Sequence, residues 1–510
     1  MTPTLTDIRL GIARGISYGL FGPFEPFVAT ARALGAGLVR LYVYWSQVEP
    51  RPGLYNWSIV DALMSQLSGD EEVWVTVCAS SQWGTRTPTD FLPPSPATSL
   101  EAYQAFVRAL VARCRGRVHY WQCENEPSNV GLLWAGTAAE YVDQLAVFAR
   151  AVRDSDPRAA VVLGGCGYDV LSSPPDGPPR VFFGEVLSRG QGAFDLFDVH
   201  LYDSPELIPA HLATVRAMMR EHGDERPVVV GEYNGPTLFE FPELDGVVQQ
   251  TMADAFAADE DASLSTTALS ATATVETPER RALKLLYERM ESLPPALQMF
   301  MKGCPSALDE LRDRINCRQI VTRNLLALAE GVPRTVCWQL APEVGNYEDP
   351  FTMMELMHGK LPLMVYENET LGRRRPPADA FARLATQLRG AQSVTPIGAD
   401  PGGGVRAYRA IGPDHGPVTV LWKDGDLIDG EREPPTRVQL DWREPTISAA
   451  DALGVPVPVS VDGGKVALEV PVTPVFLSTR SPSRAASRDP HDGSPRSART
   501  PRSSRAPSPL

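Results

Sequence analysis

Short apolar runs alternate with amphipathic segments from residue 8 to about residue 343. The apolar runs are nearly continuous, which is typical of parallel strands that are covered on both faces. Between them, apolar residues recur at three- and four-residue spacing, which predicts helices that pack one face onto a core. The predicted strands are residues 8–15, 37–45, 72–80, 118–126, 160–168, 194–202, 227–233 and 334–340.

Eight strands that alternate with helices predict an α/β fold, the closed (β/α)8 or TIM barrel. The clearest helical patterns lie at residues 100–116, 138–154 and 205–223. A doubly wound open sheet would also alternate, but it normally has fewer strands and a glycine-rich phosphate loop after the first one. The stretch GIARGISYG at residues 11–19 matches such a loop poorly, so the barrel is the favoured prediction.

The connection between the seventh and eighth predicted strands is unusually long, at residues 234–333. Residues 315–331 have the pattern of the expected barrel helix, which makes residues 237–310 an insertion. It contains a polar, acidic stretch at 258–279 and a helical pattern at 280–293. Because barrel active sites lie at the carboxyl ends of the strands, we expect this insertion to be a lid or a pocket wall.

The pattern changes after a closing helix at residues 376–390. Glycine turns and alternating runs follow, which predict a small antiparallel β-sandwich at residues 393–480 beside a barrel domain at 1–392. Residues 481–510 are rich in Ser, Pro, Arg and Ala without apolar periodicity, so we expect a disordered tail.

Composition narrows the classes of partner. The chain has 510 residues and a formal net charge of −14, which argues against nucleic acid and anionic membranes as main partners. The tail is locally basic, with six Arg and two Asp, and contact of this tail with RNA or lipid is the alternative to a solvated end. The seven cysteines form no CxxC pair, and neither a signal-peptide pattern nor a spanning apolar run is visible. We therefore expect a cytoplasmic protein, whose oligomeric state the sequence leaves open.

Two glutamates stand out among the residues at the strand ends. Glu126 ends the fourth predicted strand and Glu232 lies at the end of the seventh, so both would face the mouth of the barrel. No lysine lies in the predicted strands, which argues against a Schiff-base aldolase, and no histidine pair has metal-ligand spacing. Other strand-end residues that we expect to bind substrate or support the site are Arg40, Trp45, Trp83, Asn125, His200, Tyr202 and Trp338.

The motif Asn125-Glu126-Pro127, with Glu232 in VVVGEYNGP, resembles the clan-A retaining glycoside hydrolases. The run RLYVYWSQVEPRPGLYNWS from residue 40, the His200-x-Tyr202 pair and Trp338 agree with that resemblance. It implies that Glu126 is the general acid/base, that Glu232 is the nucleophile and that no metal or organic cofactor takes part. Many cellulase-like members have a histidine at the end of the third strand, where this chain offers Ser81, Gln82 or Trp83.

The physical requirements of the reaction fit these residues. Retention needs two carboxyl groups about 5–5.5 Å apart, one ionised to attack the anomeric carbon and one protonated to assist departure. Arg40, His200 and Tyr202 are candidates to hold Glu232 ionised, and an apolar wall would raise the pKa of Glu126. Asn125 is placed to hydrogen-bond the sugar 2-hydroxyl. Each of the three tryptophans either stacks on sugar or packs at the barrel rim.

Four further carboxylates have structural interpretations. Glu124 shares strand parity with Glu126, which predicts that both point to the same side, with Glu124 deeper and orienting Arg40 or its neighbours. Asp198 shares parity with His200 and is a candidate structural partner inside the barrel. Glu343 and Glu367 lie beyond the eighth strand and are predicted to be solvated loop charges.

The sequence therefore predicts a retaining glycosidase that cleaves a small glycoside or oligosaccharide. Two alternatives remain: a catalytically silent barrel that binds carbohydrate or scaffolds a partner, and a transglycosylase that uses the same residues. The sugar, its anomer and its linkage are not specified by the sequence.

Overall fold

The barrel is closed by eight parallel strands. The computed structural model describes residues 5–20, 23–256, 276–342, 351–367, 370–398, 404–413, 415–444 and 446–479. The strands are β1 (Arg9–Ala13), β2 (Leu38–Tyr44), β3 (Glu72–Cys78), β4 (Tyr120–Cys123), β5 (Ala160–Val162), β6 (Phe197–Leu201), β7 (Val228–Tyr233) and β8 (Arg334–Cys337). They pair in the order β5-β4-β3-β2-β1-β8-β7-β6. Parallel bridges from Val162 to Leu196 and from Cys166 to Val199 join the two ends, which confirms the predicted (β/α)8 barrel.

Amphipathic helices cover the barrel because their apolar faces pack on the outward side chains of the strands. For example, the helix at Ala138–Ser155 buries Tyr141, Leu145, Phe148 and Val152, at the spacing that helical periodicity requires. The helices of this domain are α1 (Phe27–Ala33), α2 (Trp45–Val48), α3 (Ser58–Gln66), α4 (Leu100–Arg113), α5 (Ala138–Ser155), α6 (Tyr168–Ser172), α7 (Pro178–Arg189), α8 (Ile208–Glu221), α9 (Asp245–Phe256), α10 (Pro278–Glu288), α11 (Pro295–Gln298), α12 (Ser306–Ala329), α13 (Met353–His358) and α14 (Pro376–Leu388).

The insertion between β7 and α12 builds a second apolar core above the strand ends. Leu244, Leu283, Leu297 and Phe300 of the insertion pack in one buried cluster with Leu356 of α13. Met353 of α13 also donates its backbone N–H to the Glu279 carboxylate of α10, at 2.6 Å. The insertion therefore supports α13 from behind. Most of the predicted acidic stretch at 258–279 lies outside the described residues.

The C-terminal region forms two antiparallel sheets that face each other. One consists of β11 (Ser393–Pro396), β12 (Val405–Gly412), β13 (His415–Lys423), β15 (Ser448–Asp451) and β18 (Val475–Ser478), and the other of β14 (Thr436–Asp441), β16 (Val459–Asp462) and β17 (Lys465–Val470). Leu421 and Leu477 of the first sheet pack with Leu440 and Leu468 of the second, as the predicted β-sandwich requires. The hairpin β9 (Met364–Glu367) and β10 (Thr370–Arg374) precedes α14. The predicted tail at 481–510 lies outside the described residues.

The described part of the chain contains no helix that is long and apolar enough to cross a bilayer.

Candidate active site

The chain leaves the barrel sheet in an unusual way after β4. Glu124 and Glu126 both have positive φ angles, of 59° and 40°, although neither is glycine. Such left-handed residues cost about 1–3 kcal/mol each and occur where a site fixes the backbone. Because β4 ends at Cys123, the alternation of a strand does not extend to residue 126.

The two glutamates therefore point in different directions, and the prediction that they share a side is wrong. The Glu124 carboxylate accepts hydrogen bonds from the backbone N–H of Ala79, at 3.0 Å, and from Gln144 Nε2 of α5, at 2.9 Å. Neither bond involves Arg40, so Glu124 does not orient Arg40 directly. Glu124 is fully buried, and it is structural as expected.

The burial of Glu124 predicts a pH-dependent stability. Burial raises the pKa of Glu124 to about 8, and its hydrogen bonds from Ala79 and Gln144 oppose that rise. The folded protein thus keeps a proton that the unfolded chain releases near pH 4.5. The stabilisation is complete below that pH and is lost as the pH rises through about 8, by up to about 1.4 kcal/mol per unit.

Glu124→Gln has no proton to lose, so its melting temperature is expected to fall less than that of the wild type between pH 5 and pH 8. Thermal melts followed by circular dichroism measure the difference, and Glu225→Gln, at an exposed glutamate, is the matched control. Parallel melting curves for wild type and Glu124→Gln across this range would contradict a protonated Glu124.

Glu232 lies on β7 and is held as a carboxylate by three donors. Its Oε1 accepts from Arg40 Nη1 and from the Tyr42 hydroxyl, both at 2.8 Å, and its Oε2 accepts from the Tyr202 hydroxyl at 2.7 Å. Burial alone would raise the pKa of Glu232, but the positive charges of His200 and Arg40 and the tyrosine hydrogen bonds hold it below its ordinary value. Glu232 is therefore ionised at neutral pH.

Arg40 is fixed by the surrounding strands. Its five N–H groups donate to Thr76 Oγ1, the Gly231 carbonyl, Glu232, Gln122 and Asn125, at 2.8–3.2 Å. A buried guanidinium with every donor satisfied has one orientation, which makes it a rigid support. The bond to Asn125 Oδ1 also directs the Asn125 amide nitrogen away from Arg40. Arg40 therefore supports the site and lies beneath it.

His200 connects the two catalytic candidates. Its Nδ1 lies 2.5 Å from Glu126 Oε1 and 3.5 Å from Glu232 Oε2, and its Nε2 lies 3.1 Å from Asp198 Oδ2. Burial would lower the pKa of His200, but the carboxylates of Glu232 and Asp198 outweigh it and raise the pKa to about 10. His200 is thus an imidazolium that donates from both nitrogens. Asp198 also accepts from Gly231 N, at 2.5 Å, and from Gln122, at 2.7 Å, which supports its predicted structural role.

The pKa of Glu126 is shifted in the opposite direction to that of Glu232. Burial raises the pKa of Glu126, and the negative charges of Glu232 and Asp169 add to the rise, against the opposing hydrogen bond from His200. Because Oε1 accepts from His200, the proton of a neutral Glu126 would lie on Oε2. The site thus contains one carboxyl group biased towards protonation and one held ionised.

Asp169, at the start of α6, approaches Glu126 through a gap left by a glycine. A Cβ atom on Gly167 would lie 2.7 Å from Glu126 Oε1 and 2.9 Å from Asp169 Oδ1, so any other residue would displace one carboxylate. Asp169 Oδ2 accepts from the Ser128 hydroxyl at 2.8 Å, whereas Oδ1 is buried without a hydrogen-bond partner. Burial raises the pKa of Asp169.

A cavity of about 380 Å³ lies above these groups at the carboxyl ends of the strands. Trp338 forms part of its wall and packs edge-on against Tyr42, with ring centroids 6.0 Å apart. His358 of α13 also lines the cavity, and burial lowers its pKa to about 4, so its ring is neutral. Its Nδ1 has no protein partner. Of the residues predicted for the site, the cavity wall includes Asn125, Glu126, Tyr202, Glu232 and Trp338.

Two predicted substrate-binding tryptophans lie elsewhere. Trp45 is fully buried and stacks on Phe106 of α4, with ring centroids 5.3 Å apart, because α2 begins at Trp45 and turns its ring outwards. Trp83 packs against Trp45 and donates its Nε1–H to the Glu49 carbonyl at 2.9 Å. Neither lines the cavity, so their contacts agree with the packing alternative rather than with contact to substrate.

The remaining residues singled out from the sequence are those after the third strand, Ser81 and Gln82, and those beyond the eighth, Glu343 and Glu367. Ser81 is buried and accepts backbone N–H groups of its own loop, and Gln82 binds Asp90 at 3.0 Å. Glu367 is exposed on β9, as predicted, and Glu343 lies outside the described residues.

Sequence reasoning missed Tyr42, Gln122, Asp169 and His358. Tyr42 shares strand parity with Arg40 on β2, and this signal was available in the sequence. Gln122 shares strand parity with Glu124 and Glu126 in the predicted fourth strand, so a comparable signal was available for it. Asp169 and His358 lie in helices of five and six residues, which are too short for periodicity to predict a direction for the side chain.

The same cluster also has the composition of a metal site. Among the described residues, one group of potential ligands is close enough to share an ion: Glu126, His200 and Glu232, whose ligand atoms lie within 4.8 Å of one another. A metal needs a deprotonated imidazole nitrogen, and His200 has a pKa of about 10. Arg40 also contacts Glu232 directly. This charge distribution favours proton transfer over cation binding.

Comparisons with known proteins find similarity in structure. No protein-family model and no curated protein matches the chain. A family 39 glycoside hydrolase from Bacteroides cellulosilyticus WH2 aligns with a TM-score of 0.55 at 14% identity, over 93% of this chain and 81% of that chain. A family 51 α-L-arabinofuranosidase from Bifidobacterium longum aligns with a TM-score of 0.53 at 12% identity, over 94% and 98%. A glucosidase from Croceicoccus marinus aligns with a TM-score of 0.52 at 13% identity, over 93% and 100%. The chain therefore has the fold of these glycoside-hydrolase structures.

Proposed function

We propose that this protein is a retaining glycosidase, with Glu232 as nucleophile and Glu126 as general acid/base. The observation that carries the proposal is a pair of carboxyl groups at one cavity with opposite pKa shifts. An oxygen of Glu126 and an oxygen of Glu232 lie within 4.8 Å of each other. This spacing agrees with the roughly 5–5.5 Å of retaining enzymes and is shorter than the roughly 6.5–9.5 Å of inverting enzymes.

In the first step, the Glu232 carboxylate attacks the anomeric carbon while Glu126 gives its proton to the departing oxygen. The glycosidic bond breaks, the electron pair leaves with the aglycone oxygen, and a glycosyl ester forms on Glu232. Arg40, Tyr42 and Tyr202 hold the carboxylate in place before the attack. Burial raises the pKa of Tyr42 and the pKa of Tyr202 well above the ordinary value for tyrosine, so both hydroxyls keep their protons and remain donors.

In the second step, Glu126 acts as a base towards water. Ester formation removes the negative charge of Glu232, which is one of the causes that raise the pKa of Glu126. The pKa of Glu126 therefore falls once the intermediate forms, and the imidazolium of His200 stabilises its carboxylate. Water loses a proton to Glu126, attacks the anomeric carbon and releases the sugar with its configuration retained.

Substrate hydroxyls have several partners in the cavity. The Asn125 amide nitrogen is directed away from Arg40 and is placed to donate to the sugar 2-hydroxyl. Asp169 Oδ1 and His358 Nδ1 are buried polar atoms that lack protein partners, and such atoms normally bind a ligand or water. The Trp338 ring offers an apolar face for sugar C–H groups.

A silent carbohydrate-binding barrel is the less favoured alternative. Simple sugar binding does not require a nearly buried carboxylate that is kept ionised by Arg40, Tyr42 and Tyr202 beside a second carboxyl group of raised pKa. A transglycosylase would use the same groups, and product analysis with added acceptor sugars separates it from a hydrolase.

A panel of 4-nitrophenyl glycosides tests the proposal. It should cover the α- and β-anomers of glucose, galactose, mannose, xylose, arabinose and fucose. We expect release of nitrophenol from at least one, with loss of that activity in Glu232→Gln. An inactive wild type that binds sugars, or activity that survives in Glu232→Gln, would contradict the proposal.

Asp169→Asn is expected to move the basic limb of the pH profile to lower pH. The negative charge of Asp169 raises the pKa of Glu126, so its removal lets the general acid ionise earlier. The profile of kcat/KM reports the free enzyme and is the measurement to use. Asp176→Asn, at an exposed aspartate after α6, is the control. A basic limb that stays in place or moves upwards would show that Asp169 does not act on Glu126.

A further inference from the structure

The cavity has a polar side, formed by the strand ends, and an apolar side, formed by the segments beyond them. The proposed catalytic groups lie on or directly after β4, β6 and β7. The segments beyond the strand ends contribute mainly apolar side chains to the same cavity: Leu132, Leu133, Phe239, Met353, Met354 and Met357. All six side chains are partly exposed, so they form an accessible apolar surface.

Three methionines of one short helix give this surface its character. Met353, Met354 and Met357 all lie on α13, which the insertion supports from behind through Leu356 and Glu279. Methionine is flexible and polarisable, and it suits the binding of apolar groups of irregular shape. On the insertion side, Phe239 stacks on Tyr168 with ring centroids 3.9 Å apart and an interplanar angle of 13°.

Few polar groups on this surface are available to a second sugar. Apart from the catalytic region and His358, whose Nδ1 is offered to the sugar, the polar residues of the cavity are Asn129, Tyr168, Glu279 and Thr352. The Glu279 carboxylate accepts from Met353 N, and Thr352 Oγ1 accepts from Glu355 N. A sugar leaving group would lose hydration of its hydroxyls here without sufficient replacement, which is costly. The volume of about 380 Å³ also suits one sugar and a small aglycone, at the lower end of small-molecule sites.

We propose that this apolar surface is the aglycone site, and that the substrate is a glycoside whose leaving group is an apolar aryl or alkyl alcohol. The inference rests on the proposed glycosidase function and specifies its substrate class. The sugar would occupy the polar strand ends, and its anomeric oxygen would carry the apolar group towards α13 and Phe239.

An alkyl series tests this inference without changing the leaving-group chemistry. Methyl, n-butyl and n-octyl glycosides of the sugar and anomer found active in the nitrophenyl panel are compared below their critical micelle concentrations. These alkanols differ little in acidity, so differences in kcat/KM report binding of the chain. We expect kcat/KM to rise about fourfold for each methylene removed from water until the surface is filled.

Two variants test whether a preference for longer alkyl chains comes from the apolar surface of the cavity. Met354→Gln and Leu132→Gln should each flatten the dependence on chain length, so that kcat/KM for the octyl glycoside falls towards the value for the methyl glycoside in the same variant. Met354→Leu keeps the apolar character and should keep the dependence. Benzyl and cyclohexylmethyl glycosides, whose leaving alcohols are similar in acidity, then distinguish stacking on Phe239 and Tyr168 from general apolar contact, and a preference for either over methyl supports the inference.

The outcomes separate the inference from the function on which it rests. If no glycoside of any kind is hydrolysed, the proposed function fails. If methyl and octyl glycosides react with equal kcat/KM, or a disaccharide of the same sugar reacts faster than the octyl glycoside, the glycosidase stands and the apolar aglycone site is refuted.

Discussion

Glu232→Ala is expected to lose about 10⁶-fold in kcat, the size of effect found when a catalytic nucleophile is removed from an enzyme. Neither Glu126 nor Asp198 can replace it in forming the glycosyl ester, because Glu126 is needed protonated and Asp198 is committed to His200, Gln122 and Gly231. The missing side chain also leaves space for a small anion. Azide should therefore restore turnover and give a glycosyl azide of inverted configuration.

Stability must be measured with this variant, because Glu232 balances the buried charge of Arg40. Removing one partner of a buried ion pair typically costs about 3–5 kcal/mol, so loss of activity could reflect unfolding. Glu232→Gln keeps an acceptor for Arg40 and Tyr42 and should fold, remain inactive and resist azide rescue. Activity near the wild-type level in a folded Glu232→Gln protein would rule out the nucleophile role.

Glu126→Ala is expected to show an effect that depends on the leaving group. For alkyl glycosides, whose alkoxides leave poorly without a proton, kcat/KM should fall by about 10²–10⁴-fold, the usual contribution of general acid catalysis. For 2,4-dinitrophenyl glycosides, which need no proton, the first step should be nearly unaffected and the intermediate should accumulate. Burst kinetics with the dinitrophenyl substrate measure this directly.

This dependence on the leaving group arises because Glu126 acts as an acid in the first step and as a base in the second. Water cannot be activated efficiently without the Glu126 carboxylate, so the second step becomes slow for every substrate. Azide needs no base and should accelerate the variant, giving a product of retained configuration. An equal loss of kcat/KM for alkyl and dinitrophenyl glycosides would remove Glu126 from the proton-transfer role.

The sequence predicts the barrel and the position of Glu232 because regular periodicity determines both. Near-continuous apolar runs mark β1 to β8, and the carboxyl ends of parallel strands in a barrel meet at one face. Glu232 and His200 were placed correctly within their strands for this reason, and so was Arg40, whose side chain points inwards from β2.

Predictions failed where the chain departs from regular geometry. Strand parity does not apply to Glu124 and Glu126, since β4 ends at Cys123 and both residues adopt left-handed φ angles. The apolar run predicts a strand that ends at Trp45, but Trp45 begins α2 and its ring packs against α4. Asp169 reaches Glu126 only because Gly167 leaves room, a relation between distant segments that no local pattern contains.

Trapping of the covalent intermediate tests the central claim most directly. A 2-deoxy-2-fluoro glycoside with a dinitrophenyl leaving group slows both steps, because fluorine destabilises the positive charge that develops on the sugar, while the good leaving group keeps the first step accessible. Mass spectrometry of the digested protein then locates the label. The mechanism proposed here predicts one fluorosugar ester, on Glu232. A label on any other residue, or unlabelled protein that releases a sugar of inverted configuration, would contradict it.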